Sequence, residues 1–255
     1  MTMKTSITNT GQKKQYKLRI IAAIREIFVS NQFADEEVAS NYGYLSGYKP
    51  KGITEQTNIL RQLFPGIGFA DEQIAGQALP SDAEGWFAIP RWEKIASTYG
   101  EAVDKMLAMI KQTRKFYNYR EGRLGPQYLR QHAKTEKAFQ KLGDEQKGYN
   151  ILVVPEQFGL LHRGRSVRRA REVMNANQFG LGAFAVGIMI LTHPERLQNY
   201  DDLWIDCAGD EYAPDADGDF SGALFFYFVG GGVGFGTGWL ARAHWRCGSA
   251  SAFLS

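Results

Sequence analysis

The chain has 255 residues, 44% hydrophobic and 22% charged, with 2 cysteines and a formal net charge of +3. It is long enough to bury a real core as one large or two small domains. Two cysteines make no disulfide framework, and so small a net charge does not by itself argue for nucleic acid.

In chain order, residues 1–12 are polar. Ile20, Ile24, Ile27 and Phe28 repeat at helical spacing, which predicts a helix over 13–33. A second short helix is expected over 34–40, after Asp35. Gly43, Gly47, Pro50 and Gly52 mark an irregular, tyrosine-rich connection. Residues 54–64 read as a helix stopped by Pro65 and Gly66, and 85–90 as a buried extended segment. The clearest helix covers 98–117: Thr98 and Glu101 have capping-box spacing, and Val103, Met106, Leu107 and Ile110 form its apolar stripe. Pro126 predicts the first turn of another helix, carrying Leu129, Ala133, Glu136 and Phe139 and closed by Gly143. The charged stretch 143–149 is the expected domain boundary, with a mainly helical region over 1–146 and a second domain over 147–255.

The second domain opens on the apolar run 151–155, read as a buried strand. Ser166 caps a helix whose apolar face holds Val167, Ala170 and Met174. Residues 183–191 are apolar without a decisive period, so helix and strand both stay open. Thr192 and Pro194 look like a helix start. Strands follow over 203–207, 224–229, 233–239 and 250–254. Glycines 230–232 between two aromatic runs signal a hairpin, with Phe226 and Phe228 on one strand face and Phe225 and Tyr227 on the other. The last strand is expected to pair with 151–154.

This order resembles a C-type-lectin-like domain, whose first and last strands pair and whose helices precede a twisted antiparallel sheet. The resemblance covers about residues 149–255 and lacks the disulfides and calcium motifs usual in lectins. The tail from Phe235 to Leu254, rich in glycine, tryptophan, arginine and serine, also looks like the variable region of target proteins diversified by retroelements. The fold class implied is α+β. The resemblance implies non-enzymatic recognition of a ligand, with a protein the expected one, through a display surface.

Candidate sites follow from residue type and spacing. The ligand-binding candidates are Phe226, Phe228, Phe235, Trp239, Arg242, His244, Trp245 and Arg246, because aromatic and arginine side chains dominate recognition surfaces. Arg163, Arg165, Arg168 and Arg169 gather near a helix start, where cations make sense only beside an anion. That anion is either phosphate or nucleic acid, the alternative function, or the chain's own carboxylates in the acidic stretch 206–219. Asp215, Asp217 and Asp219 superficially resemble a calcium loop, but Phe220 and Phe226 stand where that loop needs glycine and glutamate, so a turn is expected. Cys207 and His193 show no spacing that argues for a nucleophile and base, which leaves an uncharacterised enzyme as the third reading. No cofactor and no metal are expected. No apolar run reaches the length of a membrane span, and residues 1–7 lack a signal-like apolar core, so a cytoplasmic location is expected by default, with surface display left open.

Overall fold

The computed structural model of the protein describes residues 31–254. Most of the helix expected over 13–33 lies outside them. Residues 31–40 form turns and an isolated bridge instead of the short helix expected there. The physical reason is a competing partner: Val38 N–H donates to Gly164 O, and Glu36 O accepts from Ser166 N–H, so the backbone is drawn out as an edge.

Five α-helices and eleven strands follow. The helices are α1 (Ile53–Leu63), α2 (Tyr99–Thr113), α3 (Ala133–Glu145), α4 (Val167–Val173) and α5 (Ala183–Thr192). The first half also holds β1 (Gly85–Pro90), β2 (Phe116–Asn118) and β3 (Leu129–Gln131). Then come β4 (Ile151–Gln157), β5 (Gln178–Gly180), β6 (Trp204–Asp206) and β7 (Asp210–Tyr212). The chain closes with β8 (Gly222–Val229), β9 (Gly232–Trp239), β10 (Cys247–Ser249) and β11 (Ser251–Phe253). Helices together with antiparallel and mixed sheets make this an α+β fold.

One sheet is antiparallel throughout, in the order β1-β4-β11-β5. The other is centred on β8, which carries β9 along one edge and β6 and β7 along the other; β10, β3 and β2 extend it. Its β10–β6 and β2–β9 pairs are parallel.

α5 lies against β1 and α1 with every residue buried, which settles the ambiguous run 183–191 as helix. A helix buried all round needs no amphipathic period, which is why its sequence shows none. It packs on α2, whose buried face is the expected stripe of Val103, Met106, Leu107 and Ile110. The Met106 thioether lies over Gly187, where a Cβ would come within 2.0 Å of the sulfur.

Three local expectations are corrected. Residues 129–131 are strand β3, and the helix begins only at Ala133, because His132 Nδ1 accepts from Lys134 N–H and supplies the cap that Pro126 does not. Gly143 lies inside α3 and does not end it; it makes room for the Arg91 guanidinium. Thr192 ends α5 by bonding back to the carbonyls of Ile188 and Met189, and the turn beginning at Pro194 is capped by His193.

The two halves are not separate in space. β1 pairs with β4 along its whole length, and one hydrophobic core runs from Tyr48 through Leu142 to Ala252. A cut at residue 146 therefore passes through a hydrogen-bonded sheet. The last strand does pair with β4, but at its far end: Ser251 opposes Gln157 and Ala252 opposes Glu156. The expected partner, 151–154, is occupied by β1 on one edge and, on the other, by the backbone of Phe69 and Ala70 at Ile151 and by a side chain at Val153. Gln146 donates from its amide to Val153 O and accepts from Val153 N–H, at 2.9 and 2.8 Å, as a neighbouring strand would.

Gln56 does the same for the outer edge of β1. Its amide donates to Trp86 O at 2.8 Å and accepts from Ala88 N–H at 3.0 Å, and the residue is fully buried. Replacing Gln146 by leucine leaves one peptide donor and one acceptor unpaired, and replacing Gln56 leaves one donor and the two acceptors Trp86 O and Lys51 O. Urea denaturation should show Gln56→Leu and Gln146→Leu each losing about 2–4 kcal/mol, against about half a kcal/mol or less for the exposed control Gln77→Leu.

Candidate ligand-recognition surface

The β8–β9 hairpin turns on Gly230 and Gly231, both at positive φ (55° and 78°), as a tight two-residue turn requires. Alternation then divides its side chains. Leu224, Phe226, Val233 and Phe235 are buried. On the opposite face stand Phe225 and Tyr227 from β8 and a row of glycines from β9. The Tyr227 ring covers Gly234, where a Cβ would sit 2.6 Å from a ring carbon.

Trp204 on the neighbouring β6 completes this face. Its indole stacks on Phe225 (centroids 5.5 Å apart, 13° between planes) and lies 4.7 Å from Tyr227. On its other side it stacks on His244 at 5.6 Å, and His244 stacks on Trp245 at 4.5 Å. The result is a continuous aromatic row from Tyr227 to Trp245, bordered by Trp239 and Arg242. Trp239 is 70% exposed and Trp245 52%. Exposed tryptophans gathered on one face are costly without a partner.

The segment carrying these residues, 239–246, is held mainly through its peptide groups. Leu240 N–H donates to Ser221 O, and Leu240 O accepts from Arg168 N–H. Trp204 N–H donates to Arg246 O, Cys247 N–H to His244 O, and the Ser40 hydroxyl to Trp245 O at 2.5 Å. Arg246 is the exception. Its guanidinium pairs with Asp201 at 2.5 Å, donates to the Tyr42 hydroxyl and lies 4.3 Å over Tyr200.

Of the eight expected ligand residues, Trp239, Arg242, His244 and Trp245 come together on this face. Phe226 and Phe235 are core, packed on each other at 4.7 Å. Phe228 lines a different, apolar groove with Ile59, Leu63 and Ile110. Arg246 serves as a brace. Trp204, Phe225 and Tyr227 were not among the expected residues. The signal for them lies in β9 itself: a strand alternating glycine with Val233, Phe235 and Thr237 has its core on the side that bears side chains.

A pit of this surface, bounded by Trp204, Phe225, Trp239, Arg242 and His244, ends on the Asp206 carboxyl. Burial pushes that carboxyl up to about 7, opposed by the Arg242 charge and by the Cys247 thiol, which donates to it. Asp210 is raised to about 7 by burial too, against the Ala183 N–H, the Tyr99 hydroxyl and Arg171.

The arginine cluster has an internal anion, though not the expected one. Arg168 pairs with Glu36, Arg165 with Glu37, and Arg169 with Glu37 and Glu172. Glu36 also accepts from the Ser166 hydroxyl, at the start of α4. These carboxylates come from residues 36–37 and from α4 itself, not from 206–219. The long edge contact of residues 36–38 with 164–166 decides this, a pairing across more than a hundred residues that charge pattern alone does not reveal. Arg163 donates to Tyr42 O, and Arg171 reaches the carbonyls of Ala208 and Asp210.

Cys207 is fully buried with its thiol pushed well up by burial. His193 accepts from Lys51 N–H at 2.9 Å and is lowered to about 4 by burial and by Lys51, so it is a neutral structural ring. Residues 215–219 form a turn in which Asp217 accepts from Asp219 N–H. Among the described residues no group of three or more histidine, cysteine, aspartate or glutamate side chains is placed to hold a metal ion. No helix among them is long and apolar enough to cross a membrane. Comparison with protein-family models, curated proteins and solved structures finds no match to this chain.

The buried acids give the fold a pH signature. A carboxyl whose folded pKa lies above its unfolded value favours the folded state in acid, and that contribution is lost as pH rises through the folded pKa. For Asp206 the window runs from its ordinary 3.8 to about 7. Asp206→Asn should therefore match the wild type in thermal stability near the acid end of that window and gain on it steadily towards neutrality. Melting curves across the window check this, and a difference independent of pH would contradict the assignment.

Proposed function

We propose that this protein binds another protein through the aromatic surface formed by β6, β8, β9 and the segment 239–246, and that it does so without catalysis. One observation carries the reading: a contiguous row of five rings from Tyr227 to the exposed Trp245, bordered by the exposed Trp239 and Arg242, stands on a backbone anchored mainly by peptide hydrogen bonds. Tryptophan, tyrosine and arginine are the side chains that most often dominate binding energy at protein interfaces. The glycines of β9 leave room for the Phe225 and Tyr227 rings against the sheet.

The same arrangement supports kinship with C-type-lectin-like variable proteins of diversity-generating retroelements. Closure of the fold by its last strand on β4, and a display segment directly before that strand, are the features behind this proposal. The phosphate reading of the arginine cluster loses its main argument, because Glu36, Glu37 and Glu172 already supply the anions that explain it.

The test separates display from core. The triple variant Trp239→Ser, Arg242→Ser, Trp245→Ser should keep a cooperative melt, each change moving stability by about half a kcal/mol. Phe226→Ser should destabilise by about 3 kcal/mol or more, as loss of a fully buried aromatic ring does. A partner isolated with the wild-type protein should be lost by the triple variant. A partner held equally by both proteins would place recognition elsewhere, and unfolding of the triple variant would return these residues to the core.

A further inference from the structure

A second concavity shares no residue with the aromatic surface. It encloses about 330 Å3 between the end of β1, the start of α2, one face of α3 and the start of α5. That is within the range of small-molecule sites. Its apolar walls are rings: Trp92 and Tyr99, edge to face at 5.9 Å, and Phe139, braced from behind by Phe179 at 5.4 Å. Trp92, Tyr99 and Phe139 are each half-buried and so present part of their surface to the cavity.

Its polar groups fall into two sets. Those that would attract an anion are engaged. The Arg91 guanidinium donates to the carbonyls of Tyr149, Gly143 and Gln146. At the start of α5, Ala183 N–H donates to Asp210 Oδ2 at 2.6 Å. Phe184 N–H meets the Tyr99 hydroxyl, whose own proton goes to Asp210 Oδ1 at 2.7 Å.

The groups that attract a cation are not engaged in this way. Glu93, Glu136 and Asp144 all line the cavity and are exposed. None of the three is ion-paired among the described residues. Glu136, Gln140 and Asp144 recur at four-residue intervals on α3, so they form one polar rim above Phe139.

We propose that this cavity binds a small organic cation, an ammonium group carried on a flat apolar body. The rings take the body, and their negative faces add to the attraction for the charge. The ammonium lies at the rim, where the unpaired carboxylates of Glu93, Glu136 and Asp144 attract it. An anion of the same shape meets those carboxylates, while Arg91 Nε and Nη2 and the α5 donors are already bonded within the protein. The site is independent of the recognition surface, so either reading stands without the other.

Tryptamine is a suitable probe, with indole-3-propionate as the comparator of opposite charge, titrated calorimetrically into the full chain. Tryptamine should bind saturably with one-to-one stoichiometry and shift the Trp92 indole N–H resonance, while the propionate should not bind. The double variant Glu136→Gln, Asp144→Asn changes only exposed side chains and should retain the wild-type melt while binding tryptamine about tenfold more weakly or worse. Phe139→Leu, which keeps an apolar filler, should weaken binding of the indole as well. No saturable binding at low millimolar tryptamine, equal binding of the propionate, or a double variant with wild-type affinity would each overturn the proposal.

Discussion

Satisfying the peptide groups of β4 is the constraint on which the rest of the structure depends. This strand is buried at every position, so each of its N–H and C=O groups needs a partner inside the protein. β1 meets one edge completely, whereas on the other edge β11 reaches only Glu156 and Gln157. The gap is filled at Ile151 by Phe69 O, which accepts from its N–H, and at Val153 by the Gln146 amide, which fixes the end of α3 against the sheet. Gln56 then closes the outer edge of β1 and fixes α1 in the same manner. Helices from the first half are thus docked by polar bonds of defined direction, in addition to the non-directional burial of Leu60 and Leu142.

With the core fixed from that side, the β8–β9 hairpin is free to differ on its two faces. Its inner face contributes Leu224, Phe226, Val233 and Phe235 to the packing. Its outer face carries the partly exposed rings of Phe225 and Tyr227. The same division runs through 239–246: Leu240 packs against the small cluster of Val167, Ala170 and Met174, while Trp239 and Arg242 on either side face solvent. A surface of this kind separates the energetics of folding from those of binding, which is the physical condition for a recognition site that tolerates exchange of its side chains.

Much of this was legible in the sequence. The stripe of Val103, Met106, Leu107 and Ile110, the Ser166 cap and the glycine hairpin each follow from a local rule that the structure obeys. What was not legible is non-local. Nothing near Val153 indicates that a glutamine side chain takes the place of a strand, so the partner of β11 was displaced by several residues. The carboxylates facing the arginine cluster lie more than a hundred residues upstream and follow from an edge contact of 36–38 that has no periodic signal. The candidate surface was half legible. Composition points to the right segment, but residue type alone does not separate the inward Phe226 and Phe235 from the outward Phe225 and Tyr227, which alternation against the glycines of β9 does.

Ala250 stands between β10 and β11. Its N–H donates to Asp206 O in the β8-centred sheet, and its C=O accepts from Leu181 N–H just beyond β5 in the other. One peptide stretch is therefore shared by both sheets, with no slack between Ser249 and Ser251. Neither sheet can open along this seam while the other stays closed. Amide hydrogens of β4 and of β6 should accordingly exchange through the same event, as one cooperative unit. The strand that ends the fold is also the rivet that makes its two sheets melt together.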